Sequence, residues 1–503
     1  MASLVERYAD RIVGVVSCFD RVVIMGTLPA ICHARAMEGH LRAHSVRLFD
    51  YPRWAEPLRD ELRANAERLA QEAGLEIEFI RRKDFRKEER VKQIVARRGD
   101  HPGLVHIFSA MEPCLSFKPW HDKTSGTTSL RPTDAKCLHY YFYFIDSELG
   151  LCYLRVPTWA PFRLQFYFNG HNQLASRLRA EGIDCALCDN AFVHIADFER
   201  AQQLAEVRAE RLHRLLDRLA RQYCPVVARF SGGYHWSLMQ VEYATDILWQ
   251  RPADLKPLYD ALVRTAVHAV RAEEVATFLG RKLSPHYAGE AGTDFHTRVE
   301  GTRIKHAMGK VSIKMYDKLG WILRVETTAN DVTFFKHHRR VEHRDGTWES
   351  KVAQVKKSIY SLPVLAELMG AANRRYLEYL AALDDPTAGM RDLDRIGKSV
   401  EDQGRTWRGF NLFADGDLKL LEAIARGEFQ LSGLQNRHLQ QLLGLRPGQI
   451  SRLLKRLRLH GLIKKIARSY KYYLTKLGRN VVLLALKLRR FTVIPELAQA
   501  ARA

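Results

Sequence analysis

The most extended absence in this 503-residue chain is one of negative charge, because no aspartate or glutamate occurs between Glu428 and Glu496. Lysines and arginines recur throughout that stretch, so its field has one sign. A field of this kind attracts polyanions, nucleic acids above all. The chain as a whole has a net charge of +22, which predicts that the basic surface extends beyond this stretch.

Other absences exclude further classes of protein. No apolar run approaches the roughly 18 residues of a membrane-spanning helix, and the N-terminus, with Glu6 and Asp10, lacks the apolar core of a signal peptide. The eight cysteines show no disulfide framework, and no second CxxC pair completes a zinc site. We therefore expect a globular cytoplasmic protein of roughly two to four domains.

Alternating strand and helix patterns predict a multidomain fold of the α/β (α+β) class. The expected parts are an α/β domain that could be nuclease-like (1–200), a central mixed α/β domain with a hairpin at 312–327 (201–383), a linker (384–412) and a DNA-binding domain (413–503). Near the N-terminus, two β-rich runs are expected to break at Asp20, and residues 118–136 are expected to form a polar loop.

The acid-free stretch has the order of elements found in winged helix-turn-helix domains. Leu434 to Leu443 and Gln449 to Leu459 predict two amphipathic helices around a glycine-rich turn. Two β-like runs, Leu462 to Ile466 and Tyr470 to Leu474, then predict a basic hairpin. Helix, turn, basic helix and hairpin together predict a winged helix-turn-helix.

The run "SRLLKRLRLHGLIKKI" followed by "YKYYLTKLGR" resembles the winged-helix domains of MarR-type bacterial regulators and of many mobile-element proteins. The resemblance implies that the second helix enters the major groove of DNA and that the hairpin wing touches the backbone. The residues that it places at the groove are Gln449, Ser451, Arg452, Lys455 and Arg456, and those on the wing are Arg468, Ser469 and Lys471. The alternative is a winged helix used for protein contacts.

A second, local resemblance concerns the central part of the chain. Tyr316-Asp317-Lys318, followed by Arg324-x-Glu326, is similar to a segment of rolling-circle replication initiators and so to transposase-like mobile-element enzymes. In those initiators a tyrosine attacks a DNA phosphate that is polarised by a metal on a His-hydrophobic-His pair. This chain has no such pair. A purely structural hairpin with an arginine–glutamate pair is the alternative.

Acidic residues at the ends of apolar strands suggest metal-dependent chemistry. Asp20, Glu112 and Asp146 each occupy such a position, and carboxylates that converge can hold the divalent ions that cleave phosphodiesters. This is the logic of RNase H-like nucleases and transposases. We take Asp20, Glu112 and Glu326 as candidate catalytic residues. Asp20, Glu112 and Asp146 are the candidate ligands of Mg²⁺ or Mn²⁺, with plain turns as the alternative.

The sequence therefore predicts a DNA-binding protein of a bacterial mobile element or replication system, with metal-dependent nicking or strand transfer as its candidate activity. Two alternatives stay open. One is a non-enzymatic winged-helix transcription regulator whose N-terminal part senses a ligand, and the other is an RNA-binding protein. The expected partner is nucleic acid, duplex DNA before RNA, and no membrane.

Overall fold

A computed structural model describes residues 3–82, 84–283, 290–298, 301–384, 386–429, 433–466, 469–489 and 493–500. It confirms a mixed α/β chain with a large mixed sheet. The chain divides into two compact units, residues 1–381 and 382–503. Among the helices of the described residues, none combines the length and the apolar character that crossing a bilayer requires.

The first unit contains most of the strands. They are β1 (Ile12–Thr27), β2 (Ile77–Phe79), β3 (Gly103–Asp122), β4 (Thr127–Asp146), β5 (Gly150–Pro157), β6 (Leu164–Phe168), β7 (Cys185–Cys188), β8 (Ala191–Ile195), β9 (His235–Trp249), β10 (Ala291–Arg298), β11 (Gly301–Met308), β12 (Val311–Lys318), β13 (Ile322–Ala329), β14 (Lys336–Glu342) and β15 (Trp348–Gln354). The α-helices are α1 (Leu4–Arg7), α2 (Ala34–Ala43), α3 (Tyr51–Glu72), α4 (Lys87–Arg98), α5 (Gly170–Ala180), α6 (Phe198–Leu204), α7 (Ala209–Tyr223), α8 (Pro252–Ala269), α9 (Ala272–Phe278) and α10 (Leu362–Asp384).

Eleven of these strands form one sheet in the order β10-β11-β12-β13-β9-β1-β6-β5-β4-β3-β2. Neighbours are antiparallel except for β2 and β3. Because side chains alternate along a strand, the sheet has two distinct faces. Phe142, Phe166 and Ile247 point to one face, where they join the main apolar core with α3, α7 and α10. The opposite face carries polar side chains across the middle of the sheet.

Strands from both predicted N-terminal domains belong to this sheet. β1 pairs with β6 along one edge and with β9 along the other. The boundary predicted at residue 200 therefore falls inside the first unit, because a long strand that hydrogen-bonds on both sides ties the two halves together. The predicted polar loop at 118–136 is also corrected, since β3 and β4 continue through it to the pair Asp122 and Thr127.

The second unit has its own elements and its own core. They are α11 (Pro386–Gly397), β16 (Val400–Asp402), β17 (Arg405–Trp407), α12 (Asp415–Ile424), α13 (Asn436–Leu443), α14 (Pro447–Leu459), β18 (Ile463–Lys465), β19 (Tyr472–Leu474), α15 (Lys476–Leu488) and α16 (Ile494–Ala500). Leu439, Ile450 and Leu457 are buried together in the core. Gly444 ends α13 in the left-handed conformation, which glycine adopts without strain.

The segment predicted as a linker, 384–412, is structured where the structure describes it. It forms α11 and the hairpin of β16 and β17. Ile396 and Phe410, at either end of this hairpin region, are buried in the core of the second unit. The charged composition of the segment predicted a solvated linker, but two apolar anchors are enough to fold it onto the core.

One buried ion pair joins α12 to α14. The guanidinium of Arg456 donates to both carboxylate oxygens of Asp417, at 2.7 and 2.9 Å, and lies 3.8 Å from the ring centre of Phe410. It also donates to the carbonyl oxygens of Arg408 and Gly409. Arg456 is 5% exposed. Its side chain therefore lies in the core of the unit and not at a surface that could enter a DNA groove.

Replacing this arginine should cost stability. Arg456→Ala leaves the Asp417 carboxylate buried without its main partner, and we expect a loss of roughly 3–5 kcal/mol in the free energy of unfolding of the second unit. Arg452→Ala is the matched control, because Arg452 is exposed on the same helix and should change stability by less than about 0.5 kcal/mol. Urea unfolding at neutral pH measures both. Similar small losses in the two variants would contradict the expectation.

Candidate metal centre

Three acidic side chains meet on the polar face of the sheet, one from each of three adjacent strands. They are Asp20 on β1, Glu242 on β9 and Glu326 on β13. Glu326 lies opposite Ala244, and Glu242 lies opposite Thr328, so the two glutamates are diagonal neighbours. One carboxylate oxygen from each acid lies within 4.8 Å of the other two. Carboxylate oxygens at such spacing could ligate Mg²⁺ or Mn²⁺.

A β-bulge brings Asp20 into this cluster. Phe19 pairs with Tyr243 and Arg21 pairs with Glu242, so the register between β1 and β9 passes over Asp20. The run predicted to break at this residue is therefore one continuous strand with an extra residue. A bulge of this kind re-aims a side chain. Here Phe19 packs in the main core while the carboxylate of the next residue lies with the two glutamates.

Two cationic side chains lie beside the carboxylates. Lys314 is directly opposite Glu326, and its Nζ is 2.7 Å from Oε1 of Glu326 and 3.7 Å from Oε1 of Glu242. The Nε of Arg21 is 3.7 Å from Oε2 of Glu242. Lys314 and Arg21 therefore offset part of the negative charge of the two glutamates. The cationic neighbours of Asp20 lie in the buried network beside it.

A buried network holds Asp20 in place. Arg324 donates to both oxygens of Asp246, each at 2.6 Å, and its Nη1 is 3.4 Å from Oδ1 of Asp20. The ring nitrogens of His171 lie 3.2 Å from Oδ1 of Asp20 and 3.4 Å from Oδ2 of Asp246. Asn190 donates to the same Oδ1 at 2.6 Å. Within the described part of the chain these contacts all use Oδ1, so Oδ2 of Asp20 is the oxygen left for a ligand.

Burial and neighbouring charges affect the pKa values of Glu242 and Asp20 differently. Burial and the charge of Glu326 raise the pKa of Glu242 to about 7, against the opposing effect of Lys314 and Arg21. Burial by itself would also raise the pKa of Asp20, but its partners His171 and Arg324 outweigh it and hold that pKa well below the usual range. At neutral pH Asp20 is therefore ionised, whereas Glu242 carries part of a proton that a bound cation would displace.

Tyr316, from the Tyr-Asp-Lys motif, also reaches the cluster. Its hydroxyl donates to Oε2 of Glu326 at 3.0 Å. Burial and the charge of Glu326 raise the pKa of Tyr316 well above its usual value. The phenol therefore acts as a hydrogen-bond donor that orients Glu326, together with Thr328, whose hydroxyl lies 3.3 Å from Oε1.

Glu112 lies in a different cluster. It is on β3, four strands from β1 in the sheet order, or about 19 Å at the usual spacing of neighbouring strands. Its carboxylate accepts from the hydroxyl of Tyr141 at 2.7 Å and from Arg155 at 2.6 Å, and Lys87 lies 3.7 Å away. The acidic group that the structure assembles therefore contains Glu242 in place of Glu112.

Asp146 has the role of a turn residue. It ends β4, and its Oδ1 accepts from the backbone N–H groups of Glu148 and Leu149 at 2.9 and 3.1 Å. Arg218 lies 3.5 Å from its other oxygen. These bonds close the turn into β5. Asp146 therefore has the role of a plain turn residue, which was the alternative to a metal ligand. Asp146 is not part of the acidic cluster.

The residues expected to contact DNA have unequal surroundings in the second unit. Gln449, Ser451 and Arg452 are exposed on α14, and Lys471 is exposed beside β19. Lys455 is half-buried, and its Nζ lies 2.7 Å from Oδ2 of Asp402. Ser469 is half-buried and its hydroxyl donates to the carbonyl oxygen of Ile466. Arg456 is buried, as described above, and Arg468 lies outside the described residues.

Glu242 was missed because it lies inside a strand. The candidate acids were those at the ends of apolar strands, whereas β9 continues past Glu242 for seven residues, to Trp249. A usable signal was present in the alternation of Gln240, Glu242 and Asp246 with apolar residues. Polar residues at a period of two inside an otherwise buried strand mark a polar face of the sheet.

The crowding at Glu242 leads to a testable effect on stability. Between about pH 4.5 and 7 the unfolded chain releases a proton that folded Glu242 keeps, so the metal-free protein loses stability as the pH rises through that window. Glu242→Gln removes the penalty. We expect it to stabilise the metal-free protein at pH 8 by up to roughly 3 kcal/mol, and much less at pH 5. Urea unfolding in EDTA measures the difference.

Glu112→Gln is the control with the opposite expected sign. Burial raises the pKa of Glu112, but Tyr141 and Arg155 hold it below its usual value. Loss of these charged hydrogen bonds should destabilise the protein by roughly 1.5–3 kcal/mol at pH 8. Destabilisation by Glu242→Gln at pH 8 would show that the three carboxylates do not repel one another.

Comparison with known proteins assigns no family to this arrangement. The chain matches no protein-family model, no curated protein and no solved structure.

Proposed function

We propose that this chain is a cytoplasmic DNA-binding protein of a bacterial mobile element or replication system that nicks or transfers DNA strands with the help of Mg²⁺ or Mn²⁺. The observation that carries the proposal is the carboxylate triangle of Asp20, Glu242 and Glu326, in which burial and the charge of Glu326 raise the pKa of Glu242. A strongly basic protein that only binds DNA gains nothing by gathering carboxylates, since each one repels phosphate unless a cation intervenes.

Each side chain of the cluster has a role in this proposal. Asp20, through Oδ2, and the two glutamates, Glu242 and Glu326, would hold the ion. A bound divalent cation supplies polarisation of the phosphodiester and a water of lowered pKa. Lys314 and Arg21 supply positive charge beside the position of the scissile phosphate, where negative charge increases during the reaction.

The second unit would hold the DNA. The order α13, turn, α14, β18 and β19 supports a winged helix-turn-helix, with α14 as the helix in the major groove. Arg452 and Lys471 are exposed, and among the described residues neither forms a salt bridge, unlike Lys455 and Arg456. Their charges are therefore available to DNA phosphates, whereas Arg456 supports the helix from inside.

A ligand-sensing regulator is the second candidate, and one observation favours it. A cavity of about 590 Å³ lies on the other face of the sheet, between α10 and the strands β1 and β9. Its walls are largely apolar, with Tyr243 and Phe19 among them and Arg374 and Glu367 as charged groups. Cavities of this size hold small molecules. A DNA affinity that changes with a small molecule, in a protein without metal-dependent cleavage, would favour this candidate.

The metal proposal is tested by removing one ligand at a time. Asp20→Ala, Glu242→Ala and Glu326→Ala should each lower metal-dependent nicking on the order of 100-fold or more, because each removes an oxygen ligand. Affinity for DNA should change little. The assay is nicking of supercoiled and single-stranded DNA with Mg²⁺ or Mn²⁺, with EDTA as the blank, and Mn²⁺ binding is measured separately by calorimetry.

Two variants serve as controls for this assay. Glu112→Ala should keep the activity, since Glu112 belongs to another cluster. Tyr316→Phe should lower it by less than about tenfold if Tyr316 only orients Glu326 through one hydrogen bond. Nicking and Mn²⁺ binding that survive all three ligand substitutions would remove the cluster from the proposal. Complete loss in Tyr316→Phe, with a covalent DNA adduct in the wild type, would make Tyr316 the nucleophile.

The winged-helix proposal is tested through the salt dependence of binding. Arg452→Ala with Lys471→Ala should reduce the log–log slope of affinity for duplex DNA against salt by about 1.8, since each phosphate contact contributes about 0.9. Lys419→Ala is the control, because Lys419 is exposed on α12 but lies outside the acid-free stretch. Fluorescence anisotropy at several salt concentrations measures the slopes. Equal slopes in the double variant and the wild type would place the DNA elsewhere.

A further inference from the structure

The strands β14 and β15 form a two-stranded arm that stands apart from the main sheet. Within the described residues, these strands pair only with each other. At the base of the arm Phe335 and Val355 are buried, and the N–H of Val355 donates to the carbonyl oxygen of Phe335 at 2.9 Å. The N–H of Leu238 donates to the carbonyl oxygen of Lys357 at 2.7 Å. The arm, residues 336–354, is thus anchored at one end only.

One face of the arm is open to solvent along its whole length. All residues of this face are exposed, and Glu349 is the one exposed residue of the two strands that lies on the other face. The cross-strand pairs of this face are Lys336 with Gln354, His338 with Val352, Arg340 with Ser350 and Glu342 with Trp348. Trp348 is 53% and Val352 is 64% exposed. We call this set the outer face. An isolated hairpin is marginally stable in water, and exposed apolar side chains on one commonly mark a binding surface.

Each face of the arm carries two cations and one carboxylate, but the contacts of these groups differ. On the other face, Oε2 of Glu349 lies 2.7 Å from Nζ of Lys351 and 3.1 Å from Nε2 of His343. Lys336 and Arg340 have no acidic partner within salt-bridge distance among the described residues, and the guanidinium of Arg340 lies 5.2 Å from the ring centre of Trp348. The outer face therefore presents the two cations Lys336 and Arg340 to a partner, together with the exposed carboxylate of Glu342.

We propose that the arm binds duplex DNA by laying its outer face in the major groove. The inference rests on the proposed function for its choice of DNA as the partner. A two-stranded ribbon fits the major groove, which is about 12 Å wide. The arm, seven residues per strand, is about 23 Å long and spans several base pairs.

The side chains of the outer face match the chemistry of the groove floor. Arginine and lysine donate to the acceptors of guanine, glutamine forms paired bonds with adenine, and apolar groups contact the methyl group of thymine. Arg340, Gln354 and Val352 supply one side chain of each kind on the same face.

The base of the arm is connected to the carboxylate cluster through β9. Its base contacts β9 at Leu238, four residues before Glu242 on the same strand. Four residues of extended strand cover about 13 Å. The base of the arm and the candidate metal centre thus belong to the same strand of the first unit.

The test compares two faces of the same arm in the full-length protein. Lys336→Ala with Arg340→Ala should lower the log–log salt slope for a 30-base-pair duplex by about 1.8. Arg339→Ala with Lys351→Ala is the matched control. It removes the same charge from the opposite face, where Arg339 donates to the carbonyl of Gln354 and Lys351 pairs with Glu349, and it should lower the slope by less than half as much. Fluorescence anisotropy gives the slopes, and circular dichroism checks folding.

A change of nucleic acid tests the groove itself. An RNA duplex of the same sequence has a major groove too narrow for side chains to read, so the outer-face variant and the wild type should differ less on RNA than on DNA. Equal effects of the two double variants on DNA, or equal effects of the outer-face variant on DNA and RNA, would overturn the proposal. The proposal would also be overturned if the outer-face variant exposed to methylation no guanine N7 that the wild type protects.

The carboxylate variants separate this inference from the proposed function. Glu112→Ala should bind the duplex with the wild-type slope, because Glu112 lies outside both the arm and the carboxylate cluster. If no metal-dependent nicking is found while the outer-face variant loses its slope, the catalytic proposal fails and the arm stands. If nicking of single-stranded DNA requires the carboxylates but the outer-face variant binds duplex normally, the arm is overturned and the catalytic proposal stands.

Discussion

The buried pair of Arg324 and Asp246 is the interaction on which the rest of the first unit depends. A guanidinium without solvent contact costs several kcal/mol, and only full pairing offsets it. Arg324 has that pairing through two bonds to Asp246 across β13 and β9, and it donates further to the carbonyl of Asn190 at 2.6 Å. The pair locks the central strands in register and turns His171 and Asp20 toward each other. The carboxylate cluster is consequently built on rigid strands and not on loops.

The two faces of the sheet differ in the side chains that they gather. One face buries the aromatic and aliphatic side chains that hold the helices. The other gathers charge at the cost of repulsion, most clearly at Glu242, whose raised pKa marks a group that is less stable ionised than in water. Local destabilisation at a place of consistent geometry is typical of functional sites. Burial of the large apolar face stabilises the fold and offsets the repulsion within such a cluster.

Some of this arrangement could be predicted from the sequence. Alternation of apolar residues gave the coarse α/β class and the order of elements in the second unit, and Asp20 and Glu326 were nominated by their positions in strands. The bulge at Asp20 and the inclusion of Glu242 depend on which strands lie side by side, and β9 follows β1 by more than 200 residues in sequence. Long-range pairing of this kind leaves no local pattern.

Arg456 shows the same limit at the scale of one side chain. Helical periodicity places it at the edge of the apolar stripe of α14, beside Leu457, where a basic residue normally reaches solvent. Its actual partner, Asp417, lies 39 residues earlier on α12. Arginine is rarely buried unless a carboxylate is buried with it. Here that carboxylate is Asp417, and only the packing of α12 against α14 brings it to Arg456.

Lys314 gives the carboxylate cluster a counterion that belongs to the chain itself. Because its ammonium lies between Glu326 and Glu242, the strands that carry the acids remain compatible with one another when no ion is bound. Proteins whose fold is completed by a metal unfold when it is withdrawn. Lys314 already offsets part of the charge between the two glutamates, so the fold does not depend on an ion for that role. Under the proposed function, the first unit would keep its fold in a medium without divalent cations and lose only the activity.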